Sequence, residues 1–130
     1  MSLTYRRIKG QLAHDYERLL MQIRPEKALE FGRISLSVNG MLKIKADYLW
    51  DFASGAFDTK AIIEGSLVHD ALCELIHNDL LSYHEWDSAA EEMKIVCLEN
   101  GMWRIRAAWV ERALKIAGPE VTQSRKYITI

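Results

Sequence analysis

Residues 34 to 46 alternate between apolar and polar side chains on both sides of Asn39-Gly40: Ile34-Ser35-Leu36-Ser37-Val38 before it and Met41-Leu42-Lys43-Ile44-Lys45 after it. A period of two sends successive side chains to opposite faces of a strand, and Asn-Gly between two such runs is a strong hairpin signal. A two-residue loop would set Leu36 opposite Lys43 and Ile34 opposite Lys45, which mixes the faces. A three-residue loop of Asn39, Gly40 and Met41 pairs Val38 with Leu42 and Leu36 with Ile44, giving one apolar face. The expected hairpin uses this second register, with Gly40 or Met41 absorbing a bulge.

Beyond residue 58 the period changes. Ile62, Leu67, Val68, Ala71, Leu72, Leu75 and Ile76 recur at helical spacing from Asp58, a candidate N-cap, to about Leu81. Ser88-Ala89-Ala90-Glu91 fits a capping box that opens a second helix, which Asn100-Gly101 stops. A third helix spans 102 to 117 and ends at Gly118-Pro119. Its expected core stripe is Trp103, Ala107, Val110, Leu114 and Ala117, with Arg104, Arg106, Arg112 and Lys115 directed away from it.

The N-terminal third carries two patterns at once. Leu12, Tyr16, Leu19, Leu20 and Ile23 fit one face of a helix over 11 to 24, whereas Leu19, Met21 and Ile23 alternate as in a strand. Periodicity alone favours the helix. The tail after Pro119 ends in Tyr127-Ile128-Thr129-Ile130, a pattern suited to an edge strand or to an arm that docks on a partner.

Composition narrows the class. With 130 residues, 49% of them hydrophobic and 27% charged, the chain is expected to form one domain (1–130), with a strand region over 1–50, three helices over 58–118 and an arm over 119–130. Seventeen basic and eighteen acidic residues leave a net charge of -1, so no global field draws the chain to nucleic acid, and specific nucleic-acid binding is not expected. Cys73 and Cys97 both fall in predicted helices, and the N-terminal residues lack the apolar stretch of a secretion signal. Both cysteines are therefore read as reduced core thiols in a chain made in the cytoplasm. No segment approaches the 18 apolar residues of a membrane span.

The residues with chemistry to offer centre on Val68-His69-Asp70, followed by Asp87 near the start of the next helix. A histidine and two carboxylates converging from neighbouring helices can hold a metal or activate a water, and a His69 to Asp87 pair would also satisfy both groups in a structural role. Gly65 lies one turn before His69 on the same face, leaving room for a ligand or another backbone. Zinc fits poorly, because His69 and His77 are eight residues and about 12 Å apart along a helix, too far to share bonds of ~2 Å. His77 and His84 are read as surface residues. Of the hydroxyls, Ser66 is three residues before His69, and Ser54 and Ser66 both lack a nucleophile elbow.

In pattern and order, residues 34 to 118 resemble a small family of uncharacterised domains of bacteriophages and prophages. That family has a strand region, a Thr-Asp-Gly-Ala-Ser-Ile-Pro type segment, a helix with Leu-His-Asp-Tyr-Leu-Tyr, a second helix opened by Ala-Asp, and a third ending in Gly. Here Trp50-Asp51-Phe52-Ala53-Ser54 matches the segment without its proline, and Val68-His69-Asp70-Ala71-Leu72-Cys73 matches the helix without its aromatic residues. Trp86-Asp87 and Ile116-Ala117-Gly118 match the last two elements. The resemblance implies strands over 5 to 46, against the helix for 11 to 24, and it carries slightly more weight.

A His-Asp helix followed by an acid on an antiparallel neighbour is also similar to phospholipase A2 architecture. That likeness implies His69 as general base, Asp87 orienting its imidazole, and Asp70 binding calcium. No Gly-rich calcium loop precedes it, and Cys73 stands where an aromatic hydroxyl is expected. The expectation from these readings is an α+β fold with a small antiparallel sheet, including hairpin 34–46, against three helices. The expected function is that of a phage virion or tail-associated protein, made in the host cytoplasm and carried into the virion. Its expected partners are other phage structural proteins, or a second copy of the chain. The alternative is a small metal-dependent hydrolase of a lipid ester or cell-wall bond, with His69, Asp87 and Ser54 catalytic and Asp70 and Asp51 on calcium or another divalent ion.

Overall fold

The computed structural model describes residues 7–53 and 59–117, and it is an α+β fold with strands in the first half and helices in the second. Six strands precede three helices: β1 (Arg7–Gln11), β2 (Tyr16–Leu19), β3 (Leu29–Phe31), β4 (Ile34–Leu36), β5 (Met41–Ile44), β6 (Leu49–Ala53), α1 (Thr59–His77), α2 (Trp86–Glu99) and α3 (Arg104–Ala117). The strands form two antiparallel sheets. One has the order β2-β5-β4-β3, and the other is the pair β1-β6.

Strands β4 and β5 are the expected hairpin, in a register two residues from the expected one. Ile34 faces Ile44 and Leu36 faces Leu42. The Ser37 N–H donates to the Met41 carbonyl at 3.1 Å, so the loop is Val38, Asn39 and Gly40. A slip of two preserves the faces, so Ile34, Leu36, Leu42 and Ile44 are all buried as one apolar layer. Gly40 takes a φ of +91°, which favours glycine, and the Arg24 guanidinium packs over it where a Cβ would lie. Ser37 secures the loop by accepting the Met41 N–H on its hydroxyl at 3.0 Å.

Residues 11 to 24 are not a helix. Strand β1 ends at Gln11 and β2 covers Tyr16–Leu19, pairing with β5 so that Tyr16 faces Ile44 and Glu17 faces Lys43. The misleading pattern has a physical cause. On β2 Tyr16 and Glu17 alternate in and out as usual, but Arg18 then lies on the inward side while Leu19 is half exposed, the reverse of an apolar-in pattern. Leu20 and Ile23, the two apolar residues that completed a helical stripe, are buried in the connection after the strand.

The helices lie close to their expected bounds, with changes at the ends. Helix α2 begins at Trp86, ahead of Ser88, so there is no capping box at Ser88-Glu91. Ser82 instead caps a single 3-10 turn at Tyr83–Glu85, accepting the His84 N–H at 3.1 Å. Gly101, at φ +89°, ends α2: the Gly101 N–H reaches the Leu98 carbonyl and the Met102 N–H the Cys97 carbonyl, both at 3.0 Å. Asp79, at φ +60°, takes the corresponding place after α1. The N-cap expected at Asp58 and the C-terminal arm lie outside the described residues.

The main core joins the four-stranded sheet to α1. Leu20, Ile34, Leu36, Leu42 and Ile44 meet Val68, Leu72, Leu75 and Ile76, and Trp50, Trp86 and Val96 complete the cluster. A second cluster, Ala61, Met93, Cys97, Met102 and Ala107, sits among the three helices.

Candidate functional site

His69 and Asp70 lie in the middle of α1, a helix whose apolar positions are needed against the sheet, and both are buried. The neighbour that sequence reasoning missed for His69 is Cys73, one turn later, with Sγ 3.5 Å from Nδ1 and 3.7 Å from Nε2. Their i, i+4 spacing was available in the sequence. The imidazole also meets Trp86 edge to face, with ring centroids 5.7 Å apart, and His77 meets the same indole at 6.5 Å. His77 is therefore buried, contrary to the surface position expected of it, while His84 is exposed. Trp86 is fixed from its other end, its indole N–H donating to the Leu114 carbonyl of α3 at 3.2 Å.

The remaining candidates disperse. Asp87 is exposed in the first turn of α2, where a carboxylate favours the helix dipole, and no hydrogen bond joins it to His69. Asp51 is on β6, paired in register with Lys9. Ser54 lies outside the described residues. Ser66 is buried and engaged, its hydroxyl accepting the Trp50 indole N–H at 3.2 Å and donating to the Ile63 carbonyl at 3.1 Å. Gly65 leaves no room for a ligand. A Cβ there would lie 3.1 Å from both Cys97 Sγ and Met93 Cγ, so the absent side chain lets α2 approach α1. Among the described residues no group of three or more His, Cys, Asp or Glu side chains is placed to hold a metal ion.

A polar network ties β2 to the helices. The Tyr16 hydroxyl donates to Glu64 Oε2 at 2.7 Å, Asn100 Nδ2 donates to Glu64 Oε1 at 3.2 Å, and Arg18 grips both oxygens of Glu99 at 3.0 and 2.8 Å. Burial, and then the Glu64 carboxylate, push the Tyr16 phenol well above its ordinary pKa. The Arg18 hydrogen bonds hold the Glu99 carboxyl below the usual carboxylate value.

The other prominent feature is the outer side of α3. The inner side carries Ala107, Val110 and Leu114, and two lysines clamp it to α2: Lys94 on Glu111 at 3.2 Å, and Lys115 on Glu91 at 3.1 Å. The opposite side carries Arg112 and also exposes large apolar side chains. Trp103 just before the helix is 80% exposed, and Ile105, Trp109 and Ile116 are 73, 68 and 75% exposed. Trp103 therefore does not belong to the core stripe in which sequence periodicity placed it. Ile105, Trp109 and Ile116 form a second stripe at spacings of four and seven, which the first one obscured.

No family model matches the chain, and neither curated proteins nor solved structures provide a match. Among the described residues, no helix is long and apolar enough to cross a membrane.

Proposed function

We propose that this protein acts through protein–protein contacts, as a phage-encoded virion or tail-associated component, and that the outer face of α3 makes them. The observation carrying this reading is the exposure of Trp103, Ile105, Trp109 and Ile116 together on one short stretch. Large apolar side chains exposed close together mark interaction sites, and tryptophans in such sites contribute much of the binding energy. The burial of His69, Asp70 and Cys73 supports the same reading, with His69 packed edge to face on Trp86 and Cys73 against its imidazole. The phage context comes from the resemblance of residues 34 to 118 to phage and prophage domains. On this reading the chain is made in the host cytoplasm and carried into the particle afterwards.

The test is quantitative mass spectrometry of purified particles from cells producing either wild type or Trp109→Glu. The expected result is a fixed copy number of wild-type chain per particle and at least a tenfold drop for the variant. Absence of the wild-type chain from particles would overturn the virion reading. Turnover of a lipid ester or cell-wall substrate that disappears in a folded His69→Ala protein would replace it with the hydrolase reading.

A further inference from the structure

Reversing the chain direction maps the exposed positions of α3 onto one another, with like residues towards the ends and an indole opposite a guanidinium at the centre. The outward residues are Ile105, Ala108, Trp109, Arg112, Ala113 and Ile116, and inverting the order exchanges Ile105 with Ile116, Ala108 with Ala113, and Trp109 with Arg112. The geometry points to a second copy of this chain as the occupant of that face, with the two α3 helices antiparallel about a twofold axis near residues 110 and 111. The inference rests on the reading of α3 as a binding face, and names its partner.

Two physical arguments favour this occupant. A twofold interface is isologous, so one surface must complement its own inverted copy, and an inverted repeat of exposed positions meets that condition. The spacing of Ile105, Trp109, Arg112 and Ile116, four then three then four, is that of a coiled-coil seam. In the antiparallel pairing Ile105 packs on Ile116 of the other copy, and the Arg112 guanidinium lies over the Trp109 indole, a cation–π contact made twice. Ala108 and Ala113 flank the seam and let the backbones approach. In a parallel pairing Arg112 would face Arg112, a like-charge contact in a desolvated seam. Glu111 and Lys115 are engaged inward, with Lys94 and Glu91, and Arg104 and Arg106 fall outside the four seam positions, so Arg112 is the charge within the seam.

Sedimentation of the full chain as a function of concentration reads the association directly. Twice the 15.0 kDa chain mass is expected at high concentration, reverting on dilution, with the association constant falling at least ~30-fold in Trp109→Glu. Direction is read by oxidative cross-linking. Ile105→Cys mixed with Ile116→Cys is expected to form a mixed disulfide, whereas each alone forms none, because like positions would lie roughly 16 Å apart along the axis. Cys73 and Cys97 are buried and do not compete. Disulfides in either single variant alone, or a monomer at every concentration, would overturn the inference. A monomeric protein still incorporated into particles through Trp109 would leave the proposed function standing and only its partner wrong. A dimer absent from particles would do the reverse.

Discussion

The carboxylate of Glu92 on α2 accepts the backbone N–H of Gln22 at 2.7 Å, across 70 residues of sequence. The same side chain accepts the N–H groups of Met21 at 3.0 Å and Ile23 at 3.3 Å, and it is fully buried. Segment 21–23 follows β2 and has left the ladder, so its N–H groups need another acceptor. One carboxylate supplies it. Glu92→Ala would strand these donors in the core and is expected to cost about 3–5 kcal/mol. Glu92→Gln keeps one acceptor oxygen but turns an NH2 toward the donors, and should cost about 1–2 kcal/mol. Urea unfolding measures both; a loss below about 1 kcal/mol for Glu92→Ala would mean that the segment is satisfied by water.

Asp79 is exposed and holds φ +60° at the end of α1, where the Leu80 N–H reaches the Leu75 carbonyl at 2.9 Å. An L-residue with a Cβ is strained in this conformation, and glycine is not. Asp79→Gly should therefore raise stability by about 0.5–1 kcal/mol, the relief of strain exceeding the greater freedom of glycine in the unfolded chain. The comparison with Gly101, which closes α2 through the same pair of bonds, makes the expectation specific. A lowered melting temperature would show that the aspartate side chain itself supports the turn.

The raised pKa of Tyr16 gives the alkaline limb of the stability profile a defined sign. The folded protein holds this proton more tightly than the unfolded chain, where the phenol titrates near 10.0. The stabilisation is complete below pH 10 and is lost as the pH rises toward the folded value, at up to about 1.4 kcal/mol per pH unit. Tyr16→Phe should lower stability at neutral pH by about 1 kcal/mol through loss of the bond to Glu64, and should flatten the decline above pH 10. Parallel profiles of wild type and variant between pH 9 and 11 would contradict it. Glu99 acts in the opposite direction: its lowered pKa contributes stability above pH 4.5 that is lost on acidification, a contribution of about 0.5 kcal/mol because the carboxylate is more than half exposed.

What could be read in the sequence followed from how far each residue's role is local. The hairpin, the helix stops and the α+β order depend on turn chemistry and on periodicity within one segment, and Gly40 and Gly101 occupy the backbone conformations that their context predicted. The exact register did not follow, since slips of two are equivalent in face. Strand β2 was obscured because its inward Arg18 answers Glu99, 81 residues away, and no local pattern encodes that partner. Glu92 was hidden for the same reason. Within the candidate site, His69 and Asp70 were recognised as unusual in an apolar run, and their burial agrees with the pattern around them. The packing of Met93 and Cys97 over Gly65, by contrast, depends on how two helices meet.

Whether the His69 cluster is core or site comes down to whether solvent reaches Cys73. The thiol is 1% exposed, lies against His69, and belongs to the main core, whereas Cys97 belongs to the cluster among the helices. A histidine beside a thiol can favour the thiolate, so an open cluster would make Cys73 the more reactive of the two. A closed core gives both thiols protection that tracks unfolding, with reaction toward a disulfide reagent slowed at least ~100-fold relative to the denatured chain. We expect the closed behaviour, together with a loss of about 2–3 kcal/mol in His69→Ala as the Trp86 packing opens. Cys73 should then react faster than Cys97 in the variant alone. Rapid labelling of Cys73 in the native wild type, with Cys97 still protected, would instead mean that the cluster opens to solvent on its own, and would make His69 and Cys73 the place to look for chemistry.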